Sequence, residues 1–451
     1  MLARDELAIL GGSPAMPEGI ERSRWPRFSD QELDELCRVL REEQLGGGDA
    51  PQIISLEQEW RQRIGVEHCL AVGSGSDALH MALWAAGVER GDEVLVPAYT
   101  FLSGALTVLQ QDAIPVFVDV KPDSYNIDPG QIEQHITSRT KAIIPVHLQG
   151  LPADMDEINS IAKRYGITVI EDVAHAPGAI YKGRPVGSLG DAASFSINMM
   201  KNLPAGEAGI FTTRHPDFLK RVDGLWLRVQ FHQLREELKY PMATLGYNYR
   251  CSVPSATLAR GQLARLDEAN ATRRYLCEKL TGQLKEIHGV IPPEVPLDRS
   301  HVYHMYRIRF DPKDAGINVS PAEFRSKVVA ALGAEGVLCR PWMNWTIPSL
   351  SIFTKPEEFE STHPWKRTWP ADRIYNPQDF PEATKIVEET SLVMEAPTAV
   401  NEQIIDYMAN GFLKVFSRLD DVMKLDLPAE LIDGGAAHLD EIRRLLPATN
   451  R

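Results

Sequence analysis

A lysine and an aspartate near the middle of the chain are the residue types that chemistry on a bound aldehyde requires. Asp172 follows an apolar run at 167–170, typical of a buried strand, and Lys201 follows a short strand-like segment at 193–197. A lysine amine can form a Schiff base with an aldehyde cofactor, and a carboxylate on a neighbouring strand end can pair with a protonated pyridine nitrogen. The two residues therefore predict a site for pyridoxal 5'-phosphate (PLP). Because a lone lysine is more often a solvated charge, the prediction depends on the segments that accompany it.

A glycine-rich segment at 73–78 follows a predicted strand and opens a predicted helix. Backbone N–H groups at a helix N-terminus lack partners and bind phosphate well, Gly75 lets the backbone approach closely, and Ser76 adds a hydroxyl. Two alternatives stay open. The segment matches a loose G-x-G-x-x-A dinucleotide fingerprint, although the next strand lacks the terminal carboxylate of such sites. It is equally compatible with an ordinary helix cap at Ser76.

Two further segments lie just beyond predicted strands, where parallel sheets bind their ligands. Phe101 ends the segment 97–101 and could stack on a cofactor ring, although an aromatic residue there more often belongs to the core. Asp172 begins the sequence Asp-Val-Ala-His that ends at His175, and it could equally be the N-cap of the next turn. The glycine-rich segment, Phe101, Asp172 and Lys201 occur in the order that one cofactor site needs.

Composition limits the partners of this chain. Its 451 residues are 43% apolar and 24% charged, which is ordinary for a globular protein of two or three domains. With 48 basic against 62 acidic residues and no basic stripe, we expect no nucleic-acid partner. Five scattered cysteines without a CxxC pair predict a cytoplasmic protein without disulfides or a metal site. No signal core and no membrane-length apolar run is present, so we expect no membrane anchor.

The elements around these residues alternate between strand and helix patterns. Predicted strands lie at 69–72, 93–97, 114–118, 142–146 and 168–171, with helices at 76–86, 101–110, 128–136 and 155–165. This alternation predicts an α/β fold with a mostly parallel sheet, to which a strand at 209–213 adds in an undetermined direction. After about residue 255 the pattern changes to a long helix at 255–288, a strand at 302–310 and helices at 321–332 and 402–418.

We therefore predict two domains. Residues 1–255 form a large cofactor-binding domain with an N-terminal arm, and residues 256–451 form a smaller α+β domain. Within the second lies a proline-rich insertion at 354–382, in which Trp365 and Trp369 fall. Long loops of this kind are usually functional or mobile.

The ordered set of motifs resembles the DegT/DnrJ/StrS sugar aminotransferases, a family of fold type I PLP enzymes. The resemblance runs from about residue 7 to residue 415 and is densest between Ala71 and Gly209. It is carried by the motifs GSGSDAL, VPAYTF, IPVFVDV, PVHLQG with PADMD, VIEDVAHAPGA, YKGRPVGSLGDAASFS, KNL, GEAG and GYNYR. It implies a large domain around a mostly parallel seven-stranded sheet and a smaller C-terminal α+β domain.

The resemblance also implies a role for each site residue. Lys201 would hold PLP as a Schiff base and move a proton, and Asp172 would bond the pyridine nitrogen. Phe101 would stack on the ring, and His175 would lie near it. The phosphate would be held by Gly75, Ser76, Asp77 and Ser196, and by Asn248 of the neighbouring subunit, because the family builds its sites across a homodimer interface.

The implied reaction moves an amino group from a small-molecule donor, glutamate or glutamine, to a cyclic keto acceptor. The acceptor would be a keto-cyclitol or a nucleotide-linked keto sugar in antibiotic or other secondary metabolism. Residues 7–12 and the pair Trp25-Pro26 resemble the cyclitol and aminohydroxybenzoate branch. Asn198, His304 and Arg340 are candidate substrate contacts.

Departures from the family pattern leave alternatives open. Residues 197–200 lack the usual aromatic residue before the lysine, Gln149 replaces a common aromatic residue, and Ala208 replaces a glycine. A PLP-dependent dehydratase or lyase is therefore an alternative, although family dehydratases replace the lysine with histidine and Lys201 is intact. A non-catalytic PLP-binding regulator is disfavoured for the same reason.

Overall fold

A central sheet organises the computed structural model, which describes residues 6–20, 25–42, 45, 50–223, 247–355, 375–397 and 402–427. The first nine strands are β1 His68–Val72, β2 Glu93–Pro97, β3 Ile114–Val118, β4 Thr140–Ile143, β5 Thr168–Asp172, β6 Ile180–Tyr181, β7 Arg184–Pro185, β8 Ala192–Ser196 and β9 Gly209–Thr213. Seven of them form one sheet in the order β1-β9-β8-β5-β4-β2-β3, while β6 and β7 pair as a separate ribbon. The predicted seven-stranded sheet is confirmed.

Strand direction in this sheet is uniform with one exception. β2, β3, β4, β5 and β8 pair in parallel, whereas β9 is antiparallel to both of its neighbours, β1 and β8. The connection from β8 to β9 contains no helix, so the chain turns back directly beside β8, as only antiparallel neighbours allow. The direction that the sequence left open is therefore decided by this short return loop.

The sheet is covered on both faces, which explains why its strands are apolar throughout. β2 and β3 are buried at all five of their positions. Successive side chains of β2 point to opposite faces of the sheet. Leu95 packs in one buried cluster, while Val94 and Val96 pack in the cluster on the other face.

Helices form both covering layers, and several of them have recognisable end signals. They are α1 Asp30–Arg41, α2 Pro51–Ile64, α3 Gly75–Ala85, α4 Ser103–Gln110, α5 Pro129–Ile132, α6 Met155–Tyr165, α7 Pro216–Asp223, α8 Val253–Leu284, α9 Pro321–Ala334, α10 Ser351–Thr354, α11 Pro381–Lys385, α12 Gln403–Phe416 and α13 Leu419–Val422. A capping box of Ser29 and Glu32 begins α1, and Gly65 ends α2 in the left-handed conformation. No helix in the described part of the chain is both long and apolar enough to cross a membrane.

A second, antiparallel sheet consists of β10 Val290–Ile291, β11 Tyr306–Phe310 and β12 Leu392–Met394. The long helix α8 joins the two parts: its first half packs in the core of the large sheet and its last turns pack in the core of the small one. Leu7, Ala8 and Met16 also lie in the core of the small sheet. The domain boundary at residue 255 stays a prediction.

Several predicted bounds were wrong. Residues 302–305 are not a strand, because they bend around residues 149–150, to which the N–H groups of Val302 and Met305 donate. The predicted helix at 101–110 begins only at Ser103, and the one at 128–136 is α5 followed by a 3-10 turn. The central part of the predicted insertion, 356–374 with Trp365 and Trp369, lies outside the described residues.

A buried carboxylate fixes the strand end on which Asp172 lies. Glu171 is fully buried and accepts the backbone N–H groups of Gly187, Leu189 and Gly190 at 2.7–2.8 Å. It also lies 3.0 Å from Nε2 of His147, whose Nδ1 accepts the N–H of Ala153 and whose backbone N–H donates to the carbonyl of Asp172. Glu171 therefore ties the loop 185–190 to the end of β5.

We expect Glu171→Ala to lower the free energy of unfolding by about 3 kcal/mol or more, because three buried N–H groups lose their acceptor. Glu171→Gln should cost less, since one side-chain oxygen still accepts. Urea unfolding measures both. The matched control is Glu157→Ala, at an exposed position, with a change of about 0.5 kcal/mol or less. Equal effects at the two positions would contradict the structural role of Glu171.

Candidate active site

Lys201 lies in the return loop between β8 and β9, near the carboxyl ends of the parallel strands. Its backbone is held from two sides: its N–H donates to the carbonyl of Asn198 at 2.9 Å, and its carbonyl accepts the indole N–H of Trp25 at 3.0 Å. Nζ has no hydrogen bond or ion pair with the residues that the structure describes. The main chain is thus fixed while the amine is left to react.

Burial lowers the pKa of Lys201 to about 8, and the negative charge of Asp172 opposes this effect. A lysine amine in this range carries a substantial neutral fraction near physiological pH. The neutral amine is the nucleophile in Schiff-base chemistry. The environment therefore suits the role predicted for Lys201.

Asp172 is the last residue of β5, and β5 pairs in parallel with β8 so that Asp172 lies opposite Ser194. Its side chain is 7% exposed, and burial raises its pKa. Oδ1 accepts the N–H of Ala174 at 2.9 Å, so the local turn contact left open by the sequence is present. The carboxylate forms no ion pair with any described residue, although the charge of Lys201 acts on it. A buried carboxylate without an ion pair is suited to a protonated pyridine nitrogen.

The glycine-rich segment meets the end of β8, as a phosphate site requires. A Cβ on Gly75 would lie 2.8 Å from the Cβ of Ser196, so only glycine fits between these two segments. The alternative of a helix cap at Ser76 is wrong: Ser74 caps α3, because its Oγ accepts the N–H of Asp77 at 3.1 Å. Ser76 lies in the exposed first turn with its hydroxyl available. The Asp77 N–H is already used and its carboxylate carries the same sign of charge as a phosphate, so the phosphate contact of Asp77 stays a prediction.

Two histidines stack beside Lys201. The rings of His175 and His304 lie 4.4 Å apart and nearly parallel. The pKa of each is well below its usual range, first because of burial and then because of the Lys201 charge. Nδ1 of His175 accepts the backbone N–H of Gln149 at 3.3 Å, so its proton is on Nε2. His304 approaches the side-chain oxygen of Asn202 through Nδ1, at 3.3 Å.

Phe101 and Asn248, two further predicted cofactor contacts, are both exposed. Phe101 is 50% exposed just beyond β2, so the core alternative for this residue is wrong. Asn248 is exposed next to Tyr249, whose carbonyl accepts the N–H of Gly73. It therefore lies near the glycine-rich segment of its own chain, and its reach to a neighbouring subunit stays a prediction.

The side chains of two substrate candidates, Asn198 and Arg340, have no hydrogen bond to Lys201 among the contacts of the described residues. The side-chain amide of Asn198 is bonded within the lysine loop, to Glu207 and to the N–H of Met200. Arg340 is exposed, and its backbone pairs with Val393 beside β12. Substrate contact by either residue stays a prediction.

The site also contains residues that the sequence motifs did not identify. The guanidinium of Arg273 lies 4.6 Å from the ring of Trp25, which bonds the Lys201 carbonyl. Trp342 packs edge-on against His175 and Tyr99, at 5.5 and 5.6 Å. Tyr99 belongs to the VPAYTF motif and could have been singled out with Phe101. Arg273 could not, because nothing in a helical sequence pattern indicates a partner near residue 25.

Known proteins are similar to this chain in both sequence and fold. A model of the DegT/DnrJ/EryC1/StrS aminotransferase family matches residues 26–382. The GDP-perosamine synthase of Caulobacter vibrioides is 38% identical over 290 residues, which cover 64% of this chain and 75% of that protein. The 3-amino-5-hydroxybenzoate synthase of Amycolatopsis mediterranei is 38% identical over 288 residues, 63% of this chain and 74% of that protein.

A solved structure shows that the similarity includes the fold. The aminotransferase from Psychrobacter cryohalolentis matches with a TM-score of 0.74 and 26% identity, over 89% of this chain and 100% of that one. The predicted fold type I architecture is therefore confirmed.

The lowered pKa of Lys201 can be tested without a cofactor. In cofactor-free protein, the rate of Lys201 acetylation by limiting acetic anhydride, followed by mass spectrometry, should rise with pH to a midpoint near 8. A free lysine peptide has its midpoint at about 10.4. Asp172→Asn should move the Lys201 midpoint to lower pH, since the charge that favours the ammonium is removed. An unmoved midpoint would mean that Asp172 does not act on Lys201.

Proposed function

The chain belongs to the DegT/DnrJ/EryC1/StrS aminotransferase family, whose enzymes use PLP, and we propose that it transfers an amino group from glutamate or glutamine to a cyclic ketone. The acceptor class is a keto-cyclitol or a nucleotide-linked keto sugar, in the biosynthesis of an antibiotic or another secondary metabolite. Two relatives support this range, since one is named for a GDP-linked product and the other for an aminohydroxybenzoate.

One observation carries the proposal: a buried carboxylate without an ion pair among the described residues ends β5, and an amine with a lowered pKa follows the adjacent parallel strand β8. When bound, PLP supplies an electron sink for the negative charge that forms at the donor carbon. Asp172 would keep the pyridine nitrogen protonated. Lys201 would hold the aldehyde, and its Nζ would then move the proton between the two reacting carbons.

The remaining side chains would bind and orient the cofactor. His175 can only donate from Nε2, because Nδ1 already accepts the Gln149 N–H. Gly75, Ser76 and Ser196 would surround the phosphate at the start of α3, where unpaired N–H groups favour an anion. Phe101 would cover the ring with its exposed face.

We also propose a homodimer with shared active sites and a cytoplasmic location. Exposed apolar side chains near the lysine support the dimer, among them Met199 and Met200, which are 36% and 69% exposed. Asn248 would then serve the phosphate of the partner. The five cysteines are all free, as in a reducing compartment.

The first experiment is an absorbance spectrum of the purified protein after PLP is added. A band at about 410–430 nm is expected from the lysine-bound cofactor, and L-glutamate or L-glutamine should replace it by a band at about 330 nm. A band that neither donor changes would favour the dehydratase or lyase alternative. No band at all would contradict the proposal.

We expect Lys201→Ala to abolish turnover while leaving the unfolding transition unchanged, because the amine that holds the cofactor and moves the proton is lost. The measurement is amino transfer to a cyclic ketone with either donor. Lys163→Ala, at an exposed position on α6, is the control and should keep full activity. Full activity of Lys201→Ala would remove the lysine from the mechanism.

Asp172→Asn should weaken PLP retention and lower kcat by about 100-fold or more, since the pyridine nitrogen loses its charged partner. Dialysis followed by the absorbance of retained cofactor measures the first effect, and steady-state kinetics the second. Unchanged retention and kcat would mean that Asp172 does not contact the cofactor.

A further inference from the structure

A buried arginine near the active site forms no ion pair with any residue that the structure describes. Arg307 lies on β11 and is 1% exposed. One terminal nitrogen donates to the carbonyl of Ser124 at 2.6 Å and approaches Oε1 of Gln149 at 3.5 Å, while the other terminal nitrogen is buried without a partner. Among the residues that the structure describes, no carboxylate pairs with it. A buried charge without a counter-ion is costly, and the burial lowers the pKa of Arg307.

A second unpaired donor lies beside the first. Gln149 is fully buried, and its Nε2 has no hydrogen-bond partner. Because its Oε1 faces Arg307, the amide N–H group and the free guanidinium nitrogen belong to neighbouring side chains. Adjacent N–H donors of this kind match the two oxygens of a carboxylate.

The backbone around this pair is strained. Gln149, Tyr125 and Tyr303 all have positive φ angles, of 56°, 60° and 46°. The Tyr125 ring lies 4.4 Å from the Arg307 guanidinium. Non-glycine residues rarely adopt this conformation, and they are concentrated at functional sites.

The pair is directly connected to the lysine site. The backbone N–H of Gln149 bonds His175, whose pKa responds to the charge of Lys201. An aromatic wall continues from His175 through Trp342 and Tyr99 to Tyr125, with ring centroids 5.5, 5.6 and 5.7 Å apart. A second buried guanidinium, Arg325, forms no ion pair within the described ranges and adds positive charge near Tyr99 and Tyr125.

We propose that Arg307 and Gln149 form a subsite for a carboxylate of the substrate. The inference rests on the proposed aminotransferase function and names the chemical group that the site selects. The carboxylate belongs either to the amino donor or to a keto acceptor that carries one. Both donors are buried in this structure, so the subsite requires a local opening, for which Trp342, the half-buried member of the wall in the irregular segment 341–346, is the candidate.

The decisive variant is Gln149→Glu, which places a carboxylate of the protein next to Arg307. It should raise the urea midpoint of unfolding, because the buried cation gains a partner. It should also weaken carboxylate binding by about 10- to 100-fold. Calorimetry with 4-oxocyclohexanecarboxylate measures the binding, with cyclohexanone as the uncharged probe. Arg307→Met should weaken the same binding, and Arg309→Met, two residues along β11, should not.

The source of the carboxylate follows from half-reactions monitored by absorbance. If the donor supplies it, Gln149→Glu and Arg307→Met slow conversion by L-glutamate, and by L-glutamine when the α-carboxylate is the bound group. If the acceptor supplies it, only the reaction with 4-oxocyclohexanecarboxylate is slowed. If the variants form the band at about 420 nm and respond to every carboxylate probe as the wild type does, the subsite is wrong and the proposed function is unaffected. A wild type without that band overturns the proposed function instead.

Discussion

The parallel pairing of β5 with β8 is the constraint on which the site depends. It places a buried carboxylate, Asp172, at the same sheet edge as the loop that carries Lys201. Burial acts on both groups against their charged forms, raising the pKa of Asp172 and lowering that of Lys201. Neither side chain is neutralised by an ion pair within the described residues. A bound ring with a protonated nitrogen would stabilise the carboxylate form of Asp172, which burial alone disfavours.

Much of the surrounding structure serves to keep that edge in place. The carboxylate of Glu171, the residue before Asp172, accepts three backbone N–H groups and contacts the ring of His147. Trp25, from the N-terminal part of the chain, donates its indole N–H to the Lys201 carbonyl and packs against Arg273 of α8. Both networks are built from groups that would be costly to bury without partners. Because these groups are hydrogen-bonded only when the lysine loop is in place, the same contacts position the loop and stabilise the fold.

The unsatisfied groups are as informative as the satisfied ones. Arg307 and Gln149 leave buried donors unpaired next to residues with positive φ angles. They are connected to the lysine site through the backbone N–H of Gln149, which donates to His175.

Local sequence determined the strands, most helices, the glycine-rich turn and the pair of Lys201 and Asp172. Apolar periodicity and turn residues act over a few positions, and the motifs follow one another along one sheet edge. Tertiary structure alone decided the direction of β9, the capping role of Ser74, the stack of His175 on His304, and the meeting of Arg307 with Gln149. These last pairs are more than a hundred residues apart, and their side chains meet only where the small sheet packs against the large one. No local pattern of polarity records which distant surface a side chain will face, because burial there is set by packing between elements.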